Sequence, residues 1–167
     1  MAEQTLRLTV NGTPRTVQAK PCQTLLQLLR EDLGLASVKE GCGQGDCGAC
    51  VVVMNGKAVN SCLVLAGQAE GTDIVTLEGL AQAGELHPLQ RRFAEHWAFQ
   101  CGYCTPGMLM SCYALLLANP APTREQILEA IEGNLCRCTS YRPIVDAVEK
   151  ASEDLQPARR TGEGSRA

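Results

Sequence analysis

Several features are scarce in this 167-residue chain, and each scarcity closes a class of function. Basic charge is not in excess: the net charge is −3, and no Lys/Arg stripe offers itself to phosphates, which argues against nucleic acid as a partner. Long apolar runs are missing. Leu115-Leu116-Leu117 is as dense as the sequence becomes, far short of the roughly 20 residues that cross a bilayer. The opening Met1-Ala2-Glu3-Gln4-Thr5 has neither a basic region nor an apolar core of the secretory kind, so a cytoplasmic location is expected. Histidine is limited to His87 and His96, neither of which sits near a cysteine pair, so a Rieske-type site has no ligands.

Cysteine, by contrast, is abundant: ten, at positions 22, 42, 47, 50, 62, 101, 104, 112, 136 and 138. In a secreted chain these would read as a disulfide framework. In a reducing compartment, closely spaced cysteines bind metal or do redox work. Without an export signal, the metal reading leads. The length suits one ordinary domain or two small ones.

The two halves of the sequence differ in kind. Residues 5–10 alternate apolar with polar, Asn11-Gly12 is a hairpin turn, and a second strand is expected near 16–19. Thr24 and Gln27 form a capping box for a helix carrying Leu25, Leu26, Leu28 and Leu29. Strands over 51–54 and 57–62 flank a second Asn-Gly turn, residues 74–77 make a last strand, and 51–53 and 63–65 read as core. Beyond 77 the pattern is helical. Helices are expected over 87–98, over 105–118 with Thr105 as N-cap and Pro106 as first residue, over 127–131 behind a Thr123/Gln126 capping box, and over 143–155. The expected fold is α+β: strands around one helix over 1–79, an all-α four-helix unit over 80–155, and a disordered tail over 156–167.

Two cysteine quartets carry the chemistry. Cys42, Cys47, Cys50 and Cys62 follow C-x4-C-x2-C with a distant fourth member, the spacing of plant-type [2Fe–2S] ferredoxins. Gly41, Gly43, Gly45 and Gly48 let the backbone close around an anionic cluster and turn amides inward. A structural zinc site also accepts four thiolates, but zinc ribbons pair two short C-x2-C knuckles. The glycines do not make a phosphate loop, because a strand follows them rather than a helix. The second quartet, Cys101, Cys104, Cys136 and Cys138, reads from its residues alone only as a four-thiolate metal site. Its C-x2-C opens a helix, and Cys136-Arg137-Cys138 must be an irregular turn, since side chains two apart cannot share a helix face. Arg137 is read as raising the potential of a neighbouring metal group rather than as a bare surface charge. Cys112 reads as a buried inert thiol, and Cys22 is given no role.

With both quartets in view, the chain resembles the iron–sulfur subunits of the xanthine oxidase family of molybdenum hydroxylases. Three blocks carry the resemblance: residues 41–50, Gln100-Cys101-Gly102-Tyr103-Cys104-Thr105-Pro106-Gly107-Met108, and Gly133-Asn134-Leu135-Cys136-Arg137-Cys138-Thr139. It implies an N-terminal β-grasp, plant-type ferredoxin-like domain followed by a helical domain, with a [2Fe–2S] cluster in each. It also implies that Gln100 and Cys138 approach the pterin of a molybdenum cofactor on a large partner subunit. FAD would sit on a medium subunit, in a dimer of heterotrimers oxidising an N-heteroaromatic compound or aldehyde. The competing reading is a free-standing ferredoxin-type carrier, which has no need of the helical half. Ser140 stands where the family often has glycine, and Gly45-Asp46 departs from the Ser-His of carbon monoxide dehydrogenases.

Overall fold

The computed structural model describes residues 3–156; the tail expected over 156–167 therefore lies, apart from Gln156, outside the described residues. The first half is a five-stranded sheet in the order β2-β1-β5-β3-β4. Its strands are β1 (Gln4–Val10), β2 (Thr13–Ala19), β3 (Val51–Met54), β4 (Lys57–Asn60) and β5 (Asp73–Val75). β1 and β5 run parallel and the other neighbours antiparallel. Both Asn-Gly pairs turn two-residue hairpins with positive φ at both positions, as the right-handed twist of the flanking strands favours. Leu6, Leu8 and Val10 alternate onto the face covered by Leu25, Leu26, Leu28 and Leu29.

Those leucines belong to α1 (Leu25–Gln27) and the π-helical turn that continues it over Leu28–Asp32. The capping box forms: Gln27 N–H donates to the Thr24 hydroxyl and Thr24 N–H to the Gln27 side chain. The last turn widens, with Leu33 N–H reaching Leu28 O, before Gly34 turns the chain at φ 69°.

Two strands end earlier than expected. The Thr76 amide donates to Asn11 Oδ1 at 2.8 Å, which stops β5 at Val75. After β4, Leu63 N–H bonds Asn60 O at 2.9 Å in a turn that carries Cys62 off the sheet, while the Ser61 amide and hydroxyl both donate to Cys50 O. Residues 51–53 are core, as expected, but Leu63 and Leu65 are not: they are 61% and 50% exposed. Leu63 instead lies over Gly45, where an added Cβ would meet its Cδ1 at 2.5 Å.

The second half packs α2 (Pro88–Glu95), α3 (Thr105–Ala118), α4 (Arg124–Ile131) and α5 (Arg142–Asp154). α2 stops short of the expected 98, in a Schellman motif: Ala98 N–H bonds Phe93 O and Trp97 N–H bonds Ala94 O, with Trp97 at φ 53°. α3 starts one residue earlier than expected, with Cys104 as N-cap and Thr105 already helical. It is buried nearly all round, as suits a helix with neighbours on both sides. Met108, Leu109, Cys112 and Leu116 join the helical core, while Met110 and Ala114 meet Val51 and Val53 of β3. β3 is thus buried on both faces, with Val52 turned to the first core. α3 and β3 together seat the two cysteine regions side by side.

Candidate metal centres

In the first region the thiols fall into pairs. Cys42 lies within hydrogen-bonding reach of Cys47, and Cys50 of Cys62. Cys50 and Cys62 are buried at the inner side, while Cys42 and Cys47 are half-buried at the rim. Backbone amides point at the sulfurs: Gln44 and Asp46 N–H donate to Cys42 Sγ at 3.5 and 3.3 Å, and the Gly45 amide serves Cys62. The Gln44 amide, the Cys47 amide and others hold the Cys42 thiol down at about 7, whereas burial and the Cys50 thiol push Cys62 up to about 11. Gly41 leaves the space this cradle needs, since a Cβ there would stand 2.6 Å from Cys47 Sγ.

The second region repeats the paired arrangement on a different scaffold. Cys101 and Cys138 Sγ are 3.6 Å apart and exposed, and Cys104 reaches Cys136 further in. Burial and the Cys136 thiol raise Cys104 to about 12. At Cys136 burial acts in the same upward direction, but the hydroxyl and amide of Thr139 prevail and hold it below its ordinary value. The Cys-Arg-Cys turn is irregular, as its spacing requires, and is tied down by Tyr141: Cys136 N–H donates to Tyr141 Oη at 2.7 Å, and that hydroxyl donates to Asn134 O at 3.0 Å. Tyr141 holds φ 63° to make this reach.

The two regions touch directly. Leu135 N–H donates to Cys47 O at 3.0 Å, so a ligand candidate of one region and the neighbour of a ligand candidate of the other share a hydrogen bond. The buried Asn134 side chain donates to Gly48 O at 3.1 Å, and the Tyr103 hydroxyl donates to Glu40 O. Gly48 and Gly107 permit this approach: a Cβ on Gly107 would collide with Gly48 O, and one on Gly48 would press on the Gly133 carbonyl.

Comparison with known proteins gives this pairing its context. The 2Fe-2S iron-sulfur cluster binding domain family matches residues 8–77, and the [2Fe-2S] binding domain family matches residues 76–149. The nicotinate dehydrogenase small FeS subunit of Eubacterium barkeri is 53% identical over 153 residues, covering 92% of this chain and 98% of that protein. The chain belongs to the iron–sulfur subunit family of the molybdenum hydroxylases. Within this family, the nicotine 6-hydroxylase small subunit of Paenarthrobacter nicotinovorans is 53% identical over 83% of this chain and 84% of its own. Among solved structures, quinoline 2-oxidoreductase from Pseudomonas putida 86 superposes with a TM-score of 0.90 at 43% identity, covering 95% of this chain and 99% of that one. Aldehyde oxidoreductase from Desulfovibrio desulfuricans ATCC 27774 gives 0.88 at 45% identity over 92% of this chain but only 17% of its own. Two [2Fe–2S]-binding domains and an electron-transfer role in an oxidoreductase follow from this membership.

All eight candidate ligands lie in these two regions, and Gln100 is exposed beside Cys101. Arg137 is exposed as well. Cys112 is wholly buried in α3, with its thiol pushed up to about 12 by burial, the inert packing residue expected. Cys22 is exposed at φ 61°, away from both quartets. His87 caps α2 by accepting from Leu89 N–H, and burial lowers its pKa. The bridging roles of Asn134, Tyr103 and Tyr141 were not legible in the sequence. Asn134 and Tyr103 stood in recognisable blocks, but no local signal marks a side chain that reaches across 86 residues. Among the described residues, no helix is long and apolar enough to cross a membrane.

Proposed function

We propose that Cys42, Cys47, Cys50 and Cys62 ligate one [2Fe–2S] cluster and Cys101, Cys104, Cys136 and Cys138 the other, in a chain that relays electrons for a molybdenum-containing hydroxylase. The observation that carries the assignment is the pairing of thiols within each quartet. A two-iron cluster takes two thiolates on each iron, whereas a single tetrahedral ion draws all four thiolates together. Bound in these cradles, the clusters supply one-electron steps between a molybdenum cofactor and FAD or an external acceptor, both held by partner subunits.

The chain's own residues order the route. Exposed Cys101 and Cys138, with Gln100 beside them, form the edge that meets the pterin of the large subunit. Cys104 and Cys136 lie inward, and the Leu135 N–H to Cys47 O hydrogen bond leads to the first region. Amides aimed at the sulfurs stabilise anionic ligands, and Leu63 over Gly45 limits water at the first loop. Residues 1–79 form a ferredoxin-like β-grasp domain and residues 80–155 a four-helix cluster domain. The partners are a large molybdenum subunit and a medium FAD subunit, in a cytoplasmic dimer of heterotrimers. The substrate, oxidised on the large subunit, is an N-heteroaromatic compound or an aldehyde. Relatives named for nicotinate, nicotine, quinoline and aldehydes support that class.

Cysteine substitution in the purified complex tests the assignment. Cys50→Ser and Cys104→Ser are each expected to abolish or alter one of two reduced-state EPR signals and to spare the other. Two unaltered signals in either variant would refute that ligand set.

A further inference from the structure

Thr139 follows the Cys-Arg-Cys turn and directs its hydroxyl back at the first of those sulfurs. Its Oγ1 donates to Cys136 Sγ at 3.2 Å and its own amide N–H at 3.4 Å. Among the described residues, the other non-cysteine donors to quartet sulfurs are backbone amides: Gln44 and Asp46 on Cys42, Gly45 on Cys62 and Tyr103 on Cys101. Asn60 meets Cys50 the other way, as an acceptor of the thiol at 3.9 Å. The second region therefore has a side-chain hydroxyl donor where the first has amides alone.

The placement of that hydroxyl is fixed from both ends of its turn. Upstream, Asn134 is anchored to Gly48 O, and Leu135 to Cys47 O. Downstream, Tyr141 binds both Cys136 N–H and Asn134 O. Thr139 is half-buried, so bulk water does not readily replace its hydrogen bond.

We infer that Thr139 is a positioning residue acting through Cys136, one whose hydroxyl raises the reduction potential of the cluster in the helical half. The inference rests on the ligand assignment proposed above. One-electron reduction adds negative charge that is shared with the cysteine sulfurs. A donor aimed at a sulfur stabilises the reduced form more than the oxidised one, and the preference grows in a low-dielectric setting. The step transfers one electron; no bond is made or broken at Thr139, and its proton stays on oxygen. The amides cannot be deleted by side-chain substitution, but this hydroxyl can, which makes the contribution separable.

The test is an EPR-monitored redox titration of the purified complex, with dithionite as reductant, for the wild type and for Thr139→Val, Thr139→Ala and Thr139→Ser. The hydroxyl-free variants are expected to show a reduced-to-oxidised ratio about tenfold lower for one cluster at a fixed potential, a shift of about 59 mV for a one-electron couple. The other signal should not move, and Thr139→Ser should restore the first. Unchanged potentials in Val and Ala variants that keep both signals would overturn the inference. So would equal movement of both signals, or loss of one signal in both hydroxyl-free variants with retention in Ser, which would make the hydroxyl purely structural. A wild-type complex with fewer than two signals would instead sink the ligand assignment itself.

Discussion

The hydroxyl of Tyr141 joins two backbone groups that the Cys-Arg-Cys turn would otherwise leave without partners. It accepts from Cys136 N–H and donates to Asn134 O, on a backbone at φ 63° that costs a bulky residue energy. Tyr141→Phe keeps the ring and removes both bonds. A partly buried donor left unpaired costs about 1–3 kcal/mol, so this variant is expected to melt earlier and to lose iron from the helical half first. Thermal melts with iron analysis check this; unchanged stability and metal content would contradict it. A second residue-level prediction concerns acid. Arg92 donates to both oxygens of Asp154 at 2.8 Å, with Arg91 beside it, and this holds the Asp154 carboxyl down at about 2 from an ordinary 3.8. A depressed carboxylate pKa contributes stability that is full above the unfolded value and lost as pH falls through the folded one. Asp154→Asn should therefore flatten the stability profile between about pH 4 and 2, where the wild type declines, measured by denaturant melts across that range.

Helix and strand ends separate what local sequence specifies from what distant side chains impose. The Asn-Gly hairpins and the capping boxes at Thr24 and Thr123 form where expected, because each is closed by residues within four positions. β5 ends at Val75 because Asn11, 65 residues away, takes the Thr76 amide, and nothing near Thr76 announces that. Leu63 and Leu65 carried the apolar character of core but lie outside it, one of them as a cover for the first cysteine loop. The end of α2 gives a sharper test. The Schellman position normally favours glycine, yet Trp97 occupies it at φ 53° with its side chain 81% exposed. The ring gains little by burial here, and the left-handed backbone costs about 1–2 kcal/mol for a residue with a Cβ. Trp97→Gly is accordingly expected to stabilise the isolated chain by about 1 kcal/mol, read as a higher melting temperature. A lower one would mean that the indole makes contacts worth more than the strain.

At the scale of the whole molecule, the quartets were legible because their spacing is written along the chain, whereas their mutual approach was not. Gly48, Gly107 and the Asn134-Leu135 pair lie in separate stretches, and the packing of α3 on β3 brings their backbones together. The fold thus turns two sites that are independent in sequence into neighbours joined through Leu135 N–H and Cys47 O. That arrangement suits two sites that both hold redox groups. The direct measurement is iron, zinc and labile sulfide per chain, together with low-temperature EPR after dithionite reduction of the purified complex. About four iron and four sulfide per chain with two distinguishable rhombic signals are expected. Zinc in place of iron in the Cys101/Cys104/Cys136/Cys138 site, or a single signal, would contradict a relay through both halves and leave a ferredoxin with a structural appendage.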